Sequence, residues 1–205
     1  MKPLLLVTGP PATRSGYGAH IRDLIHTLIE MDKFDIKVNS MRWGNCPMNA
    51  LNEKNPKDRL IIDRFMRDGR LDRQPEIHIQ VSVPNEFNPI GKYNIGITAG
   101  MESTVPRAEW IDGLNRMNLN IVPSNFVKKT FTDVSYDKIN ETTKEPVGQL
   151  RVEKPIEVLF EGADLNIYKK TNEFSKDLLN QMDNIEEKFV FLFTGHWLQG
   201  KLGHD

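Results

Sequence analysis

The chain has 205 residues, of which 39% are hydrophobic and 27% charged, enough for a sizeable buried core in one large domain or two small ones. A formal net charge of −1 supplies no basic field for nucleic acid, and no apolar run approaches the ~20 residues of a transmembrane span. The apolar stretch near Met1 is too short for a signal peptide, and the single cysteine, Cys46, excludes a disulfide framework or a thiolate zinc cluster. Together these features read as a cytoplasmic chain.

Residues 3–7 form a short continuous apolar run, the pattern of a strand buried on both faces of a parallel sheet. Residues 8–18 carry Gly9, Pro10, Pro11, Gly16 and Gly18 and read as a loop. Ile21, Leu24, Ile25, Leu28 and Ile29 then recur at helical spacing, predicting an amphipathic helix over roughly 18–31. With a second strand over 34–40 this makes a βαβ unit, whose crossover is right-handed. Residues 45–56 are rich in breakers, and 60–66 read as a short helix.

Ile77, Ile79, Val81 and Val83 alternate with more polar residues, predicting a strand that Pro84 stops. Residues 93–98 are the next strand. Trp110, Ile111, Leu114 and Met117 mark a helix face, which makes Trp110 a core residue rather than a sugar platform. A strand over 119–122 follows, and Ser124 is placed to cap a helix with Val127, Phe131 and Val134 on its inner face. Residues 132–154 are polar and read as an exposed excursion, and 156–160 as another strand. Phe174, Leu178, Leu179, Met182 and Ile185 form a last amphipathic helix, and 189–193 a wholly buried strand. The order is α/β throughout, a doubly wound Rossmann-like parallel sheet whose ligands bind at the C-terminal ends of the strands.

Gly16 and Gly18 sit where a strand hands over to a helix N-terminus, whose free N–H groups and dipole favour an anion such as a phosphate. The same glycines also serve a tight turn with close helix packing, and spacing alone leaves both readings open. The spacing is not G-x-G-x-x-G, and no Gly-Lys-Ser/Thr follows, which disfavours both a dinucleotide fingerprint and a P-loop. His20 lies in the first helical turn and can face the same pocket. None of the five histidines forms a His-x-x-x-His pair, which argues against a metal site. Glu102 follows the 93–98 strand, where a carboxylate can accept hydroxyls or act as a base, or simply cap a loop. Ser124 and Asn125 have the equivalent position after the 119–122 strand, as does Glu161 after the next.

Taken in order, these segments resemble the N-terminal half of retaining GT-B glycosyltransferases of the group 1 (family-4-like) type. Ser15-Gly16-Tyr17-Gly18-Ala19-His20 is similar to their glycine loop, and Ile121-Val122-Pro123-Ser124-Asn125-Phe126 to their strand and "vPS-x-f" helix. Leu159 to Asp164 with Tyr168 resembles their interdomain segment, and Phe191 to His196 the strand opening their nucleotide-binding domain. The resemblance implies transfer of a sugar from a nucleotide-sugar donor to an acceptor hydroxyl with retention, without an essential metal or resident cofactor. It implies catalytic roles for Glu102 and His20, and donor contacts from Gly16, Tyr17, Gly18, Ser124, Asn125, His196 and Lys201.

The chain departs from the family pattern in three places. Glu102 stands in the region of the family's strand-end histidine, and His196 replaces the arginine of its Gly-Arg. The phosphate-binding lysine that follows is met by Lys201 or falls past Asp205, and the Glu-x₇-Glu donor clamp is absent. The expectation is therefore an acceptor-side domain over 1–171, with 172–205 opening a truncated second domain whose apolar run either pairs two copies as a homodimer or folds back on the first domain. A non-catalytic nucleotide- or sugar-phosphate-binding module is the competing reading, since fold does not fix function. A nicotinamide-cofactor domain is disfavoured because no acidic residue directly follows the second strand, where Asn39-Ser40-Met41-Arg42 stand.

Overall fold

The computed structural model describes residues 2–66, 69–100, 105–140 and 142–191. Two compact units are present, Met1–Gly162 and Ala163–Asp205. In the first, β1 (Leu4–Gly9), α1 (Gly16–Glu30), β2 (Asp35–Ser40), α2 (Pro56–Ile62) and β3 (Ile77–Val81) come first along the chain. They are followed by β4 (Tyr93–Ile97), α3 (Ala108–Arg116), β5 (Leu119–Val122), α4 (Asn125–Thr132), β6 (Tyr136–Ile139), β7 (Pro146–Leu150) and β8 (Ile156–Val158). Six strands form one sheet in the order β2-β1-β3-β4-β5-β8, every pair parallel. This is the expected Rossmann-like α/β fold.

The sheet extends beyond β2 by a single rung. The Val38 amide donates to the Arg64 carbonyl at 2.8 Å, the Met66 amide donates to the Val38 carbonyl at 2.9 Å, and Phe65 lies parallel to Val38. Counting that rung as a strand, the order becomes the 3-2-1-4-5-6 of a doubly wound nucleotide-binding sheet with β8 added at the far edge. The chain leaves β1 towards one edge and runs from β3 towards the other. The switch point, and with it the crevice of such sheets, lies at the C-terminal ends of β1 and β3.

Helices cover both faces, which is why all six residues of β1 are buried. On one face Ile21 and Ile25 of α1 and Ile61 of α2 pack on Leu5, Val7 and Val81. On the other, Ile111 and Leu114 of α3 and Val127 and Phe131 of α4 meet Phe87 and Val122. Each fully buried side chain of this size contributes about 1.5–3 kcal/mol. The second face is also bound together by polar groups. Gln80 donates to the Glu86 carbonyl and accepts from the Asn88 amide, both at 2.8 Å, pinning the loop after β3. Gly113 lets α3 press on the Pro84 carbonyl of that loop, a space any side chain would fill.

Several expectations need correction. The helix expected over 60–66 starts earlier, at Pro56, because Asn55 caps it by accepting from the Lys57 amide and proline suits the first helical position. It stops at Ile62, freeing 64–66 for the extra rung. The expected excursion over 132–154 contains the antiparallel hairpin β6–β7. Leu150 is buried, Tyr136 packs beside it on the second core cluster, and the Tyr136 hydroxyl donates to the Pro106 carbonyl. The strand expected over 156–160 ends at Val158, leaving Phe160 70% exposed.

In the second unit, α5 (Lys176–Asp183) is capped by Ser175, which accepts from the Leu178 amide. The buried strand expected over 189–193 is not formed by its described residues: Phe189 and Phe191 are 73% and 91% exposed, their rings edge-to-face at 5.0 Å. A strand needs a hydrogen-bonded neighbour, and the described residues of this unit contain no other strand. Residues 192 and 193 lie outside the described residues. Among the described residues no helix is long and apolar enough to cross a membrane.

Candidate functional site

The loop from Pro10 to Ser15 closes on itself before α1 begins. The Thr13 amide and hydroxyl both donate to the Pro10 carbonyl, at 3.1 and 2.9 Å, and the Thr13 and Ser15 hydroxyls lie 2.8 Å apart. Ser15 caps the helix by accepting from the Gly18 amide at 3.0 Å. Its carbonyl accepts from the Ala19 amide at 2.9 Å. The Gly16 and Tyr17 amides are thus first-turn donors with no partner inside the helix.

The two glycines of this turn do different work. A side chain at Gly18 would meet the Thr13 carbonyl, with the Thr13 hydroxyl at 2.7 Å and the Pro10 carbonyl at 3.0 Å, so glycine there is a packing requirement. At Gly16 nothing lies within 4 Å of that direction. Gly16 is exposed and faces open space.

Tyr17 ties the turn to the centre of the sheet. Its hydroxyl lies 3.0 Å from the Thr98 hydroxyl and accepts from the Ala99 amide at 3.0 Å, while the Gly100 amide donates to Thr98 at 3.3 Å. Burial pushes the Tyr17 phenol above its ordinary value, with these hydrogen bonds working against it. Its ring stacks on Trp43, centroids 4.3 Å apart. Tyr17 was expected as a donor contact; its hydroxyl is engaged inside the chain.

These elements enclose a cavity of about 120 Å³ at the C-terminal ends of the strands. Its floor is Val81, Ile97, Ile121 and Val122, from β3, β4 and β5. Gly16, Ala99, Leu159 and Glu161 are its exposed members and mark the mouth. His20, one turn into α1, is half-buried there, its Nδ1 3.3 Å from Glu161 Oε1. An imidazole beside a carboxylate is an acid–base pair that can also bind hydroxyls.

The structure brings together Gly16, Tyr17 and His20 of the expected site. Gly18 is one residue away but buried against its own loop. Ser124 spends its hydroxyl as the cap of α4, accepting from the Val127 amide at 3.2 Å, and the β5 end reaches the cavity through Pro123 instead. Asn125 is exposed at the first position of α4 and does not line the cavity. Glu102, His196 and Lys201 lie outside the described residues, as does Trp197. Glu161, placed from the sequence only by its position after a parallel strand, lines the cavity, and the members missed from the sequence are Thr98 and Ala99.

Comparison of the chain with protein-family models, with curated proteins and with solved structures finds no match.

Proposed function

We propose that the first unit is the acceptor-side domain of a retaining glycosyltransferase, moving a sugar from a nucleotide-sugar to an acceptor hydroxyl. The observation that carries this reading is the pairing of an open helix N-terminus at Gly16 with a cavity and the His20–Glu161 pair, all at the switch-point end of the sheet. The extra rung at Phe65 supports it, since it gives the strand order of a nucleotide-binding sheet.

In this reading the donor diphosphate approaches the Gly16 and Tyr17 amides, where the helix dipole favours negative charge. The acceptor oxygen bonds to the anomeric carbon as the bond from that carbon to the diphosphate breaks. The diphosphate leaves with the electron pair, and the acceptor proton passes to a base, the role carried over to His20 and Glu102. Glu161 holds the imidazole in place and offsets the positive charge it gains.

Titration with UDP-glucose and GDP-mannose, followed by ³¹P resonance, tests the reading. The diphosphate signals of at least one donor should respond to the wild-type chain and not to Gly16→Val, whose side chain blocks backbone approach. No response to wild type, or an equal response to the variant, contradicts it. A response without sugar transfer to any alcohol, even with a longer chain carrying donor-side residues, favours the binding module.

A further inference from the structure

The lining of the cavity at the strand ends restricts what can enter it. Its floor is aliphatic, formed by Val81, Ile97, Ile121 and Val122, with Leu159 at the rim. The polar groups in its wall are largely spent on one another. The Tyr17 and Thr98 hydroxyls are 3.0 Å apart, and each also accepts a backbone amide, from Ala99 and Gly100 respectively. A hydroxyl offers one donor and two acceptor positions, so this arrangement leaves one O–H and one acceptor position between them for a guest. The remaining polar side chains of the lining, His20 and Glu161, sit at the mouth.

We infer that the cavity receives an apolar group of the acceptor, a small ring or branched alkyl, with the reacting hydroxyl held at the mouth beside His20 and Glu161. The acceptor class is thus an amphipathic alcohol and not a sugar. This inference rests on reading the domain as the acceptor side of a transferase. Its physical basis is solvation and size. A sugar pushed against this floor would lose water from several hydroxyls with one O–H and one acceptor position to replace it, whereas an apolar group gains by leaving water. An apolar protein cavity of ~150 Å³ is known to take a benzene ring. The 120 Å³ here is of that scale, while a hexose carries twice as many heavy atoms as benzene.

The experiment is a methyl-resonance titration of the 205-residue chain with benzyl alcohol and, separately, with methyl α-glucoside. Benzyl alcohol should shift the Val81, Ile97, Ile121 and Val122 methyls saturably, and the glucoside should leave them in place. Ile121→Phe fills the floor and should weaken the benzyl alcohol response about tenfold or more. Leu159→Asp, at an exposed position that does not endanger folding, should weaken it severalfold. The inference is overturned if the glucoside moves those methyls and benzyl alcohol does not, or if neither does. It is also overturned if benzyl alcohol binds both variants as well as wild type. No donor response with the benzyl alcohol response intact removes the transferase reading, and with it the acceptor role, and leaves the cavity as a site for an apolar group. The converse removes only the apolar acceptor.

Discussion

The two ends of the parallel sheet are built on different plans. At the N-terminal end polar side chains close upon the chain itself. Glu76 accepts from the Leu4 amide at 2.7 Å, and Asn94 donates to the Gly91 carbonyl and accepts from its amide. Asn118 accepts from the Asn94 amide at 2.8 Å, and Asn120 donates to the Leu114 carbonyl at 3.0 Å. At the C-terminal end the Gly16 and Tyr17 amides have no partner inside α1, the imidazole–carboxylate pair stands at a cavity mouth, and a side chain at Gly16 would meet nothing within 4 Å. The difference is one of degree: at one end most polar side chains are spent on the backbone, with Asn120 Oδ1 buried and unpartnered, and at the other polar groups stand at a cavity mouth.

Substitutions on either side of that difference should separate. The largest effect is expected at Gly18, the packed glycine beside the open one. Gly18→Val forces a side chain against the Thr13 and Pro10 backbone and should cost more than about 3 kcal/mol in denaturant unfolding. If it is tolerated, the division drawn between the two glycines is wrong.

His78 gives the next effect. It is buried with Nε2 2.9 Å from the Thr8 hydroxyl, and burial pushes its pKa down to about 4, only partly offset by Asn94. Because the folded value lies below the unfolded one, the unfolded chain takes up the proton first as pH falls. The stability tied to neutral His78 is complete above about pH 6.5. It declines as pH falls towards 4, by about 3 kcal/mol in all. Unfolding free energies from pH 7 to 4, compared with His78→Gln, should show this slope in wild type and a shallower one in the variant. Parallel slopes would sink the assignment.

Asn94→Ala removes the side chain that serves both the Gly91 amide and carbonyl, and should cost about 2 kcal/mol. It should not alter donor or alcohol binding at the other end of the sheet. Gly16→Val should change stability least, within about 0.5 kcal/mol, as expected for a surface position without contacts. A melt that drops with Gly16→Val as far as with Gly18→Val would erase the contrast.

Much of this organisation can be read from residue patterns. The apolar run of β1, the helical spacing of α1 and the cap at Ser124 are local signals, and the structure contains each element. The placement rule for parallel sheets points to the C-terminal strand ends, where a cavity lies. What escaped depends on distant partners. Tyr17 bonds Thr98 across 81 positions of sequence, and His20 meets Glu161 only because β8 pairs with β5. The distinction between Gly16 and Gly18 requires Thr13 to fold back under the turn. The β6–β7 hairpin was hidden because Asp137, Lys138, Pro146 and Gly148 interrupt any alternation of apolar residues. The run over 189–191 erred the other way, since apolar composition alone does not supply a neighbouring strand.

The central claim is that the C-terminal end of the sheet, and not the N-terminal end, receives a nucleotide-sugar and its acceptor. A backbone amide-shift map of the 205-residue chain with UDP-glucose or GDP-mannose, in the presence of benzyl alcohol, tests it most directly. Saturable shifts should cluster at Gly16, Tyr17, His20, Ala99 and Glu161, with Leu4, Gly91, Asn94 and Asn118 unmoved. Shifts centred on the latter group, or none at either end at saturating ligand, would contradict the account.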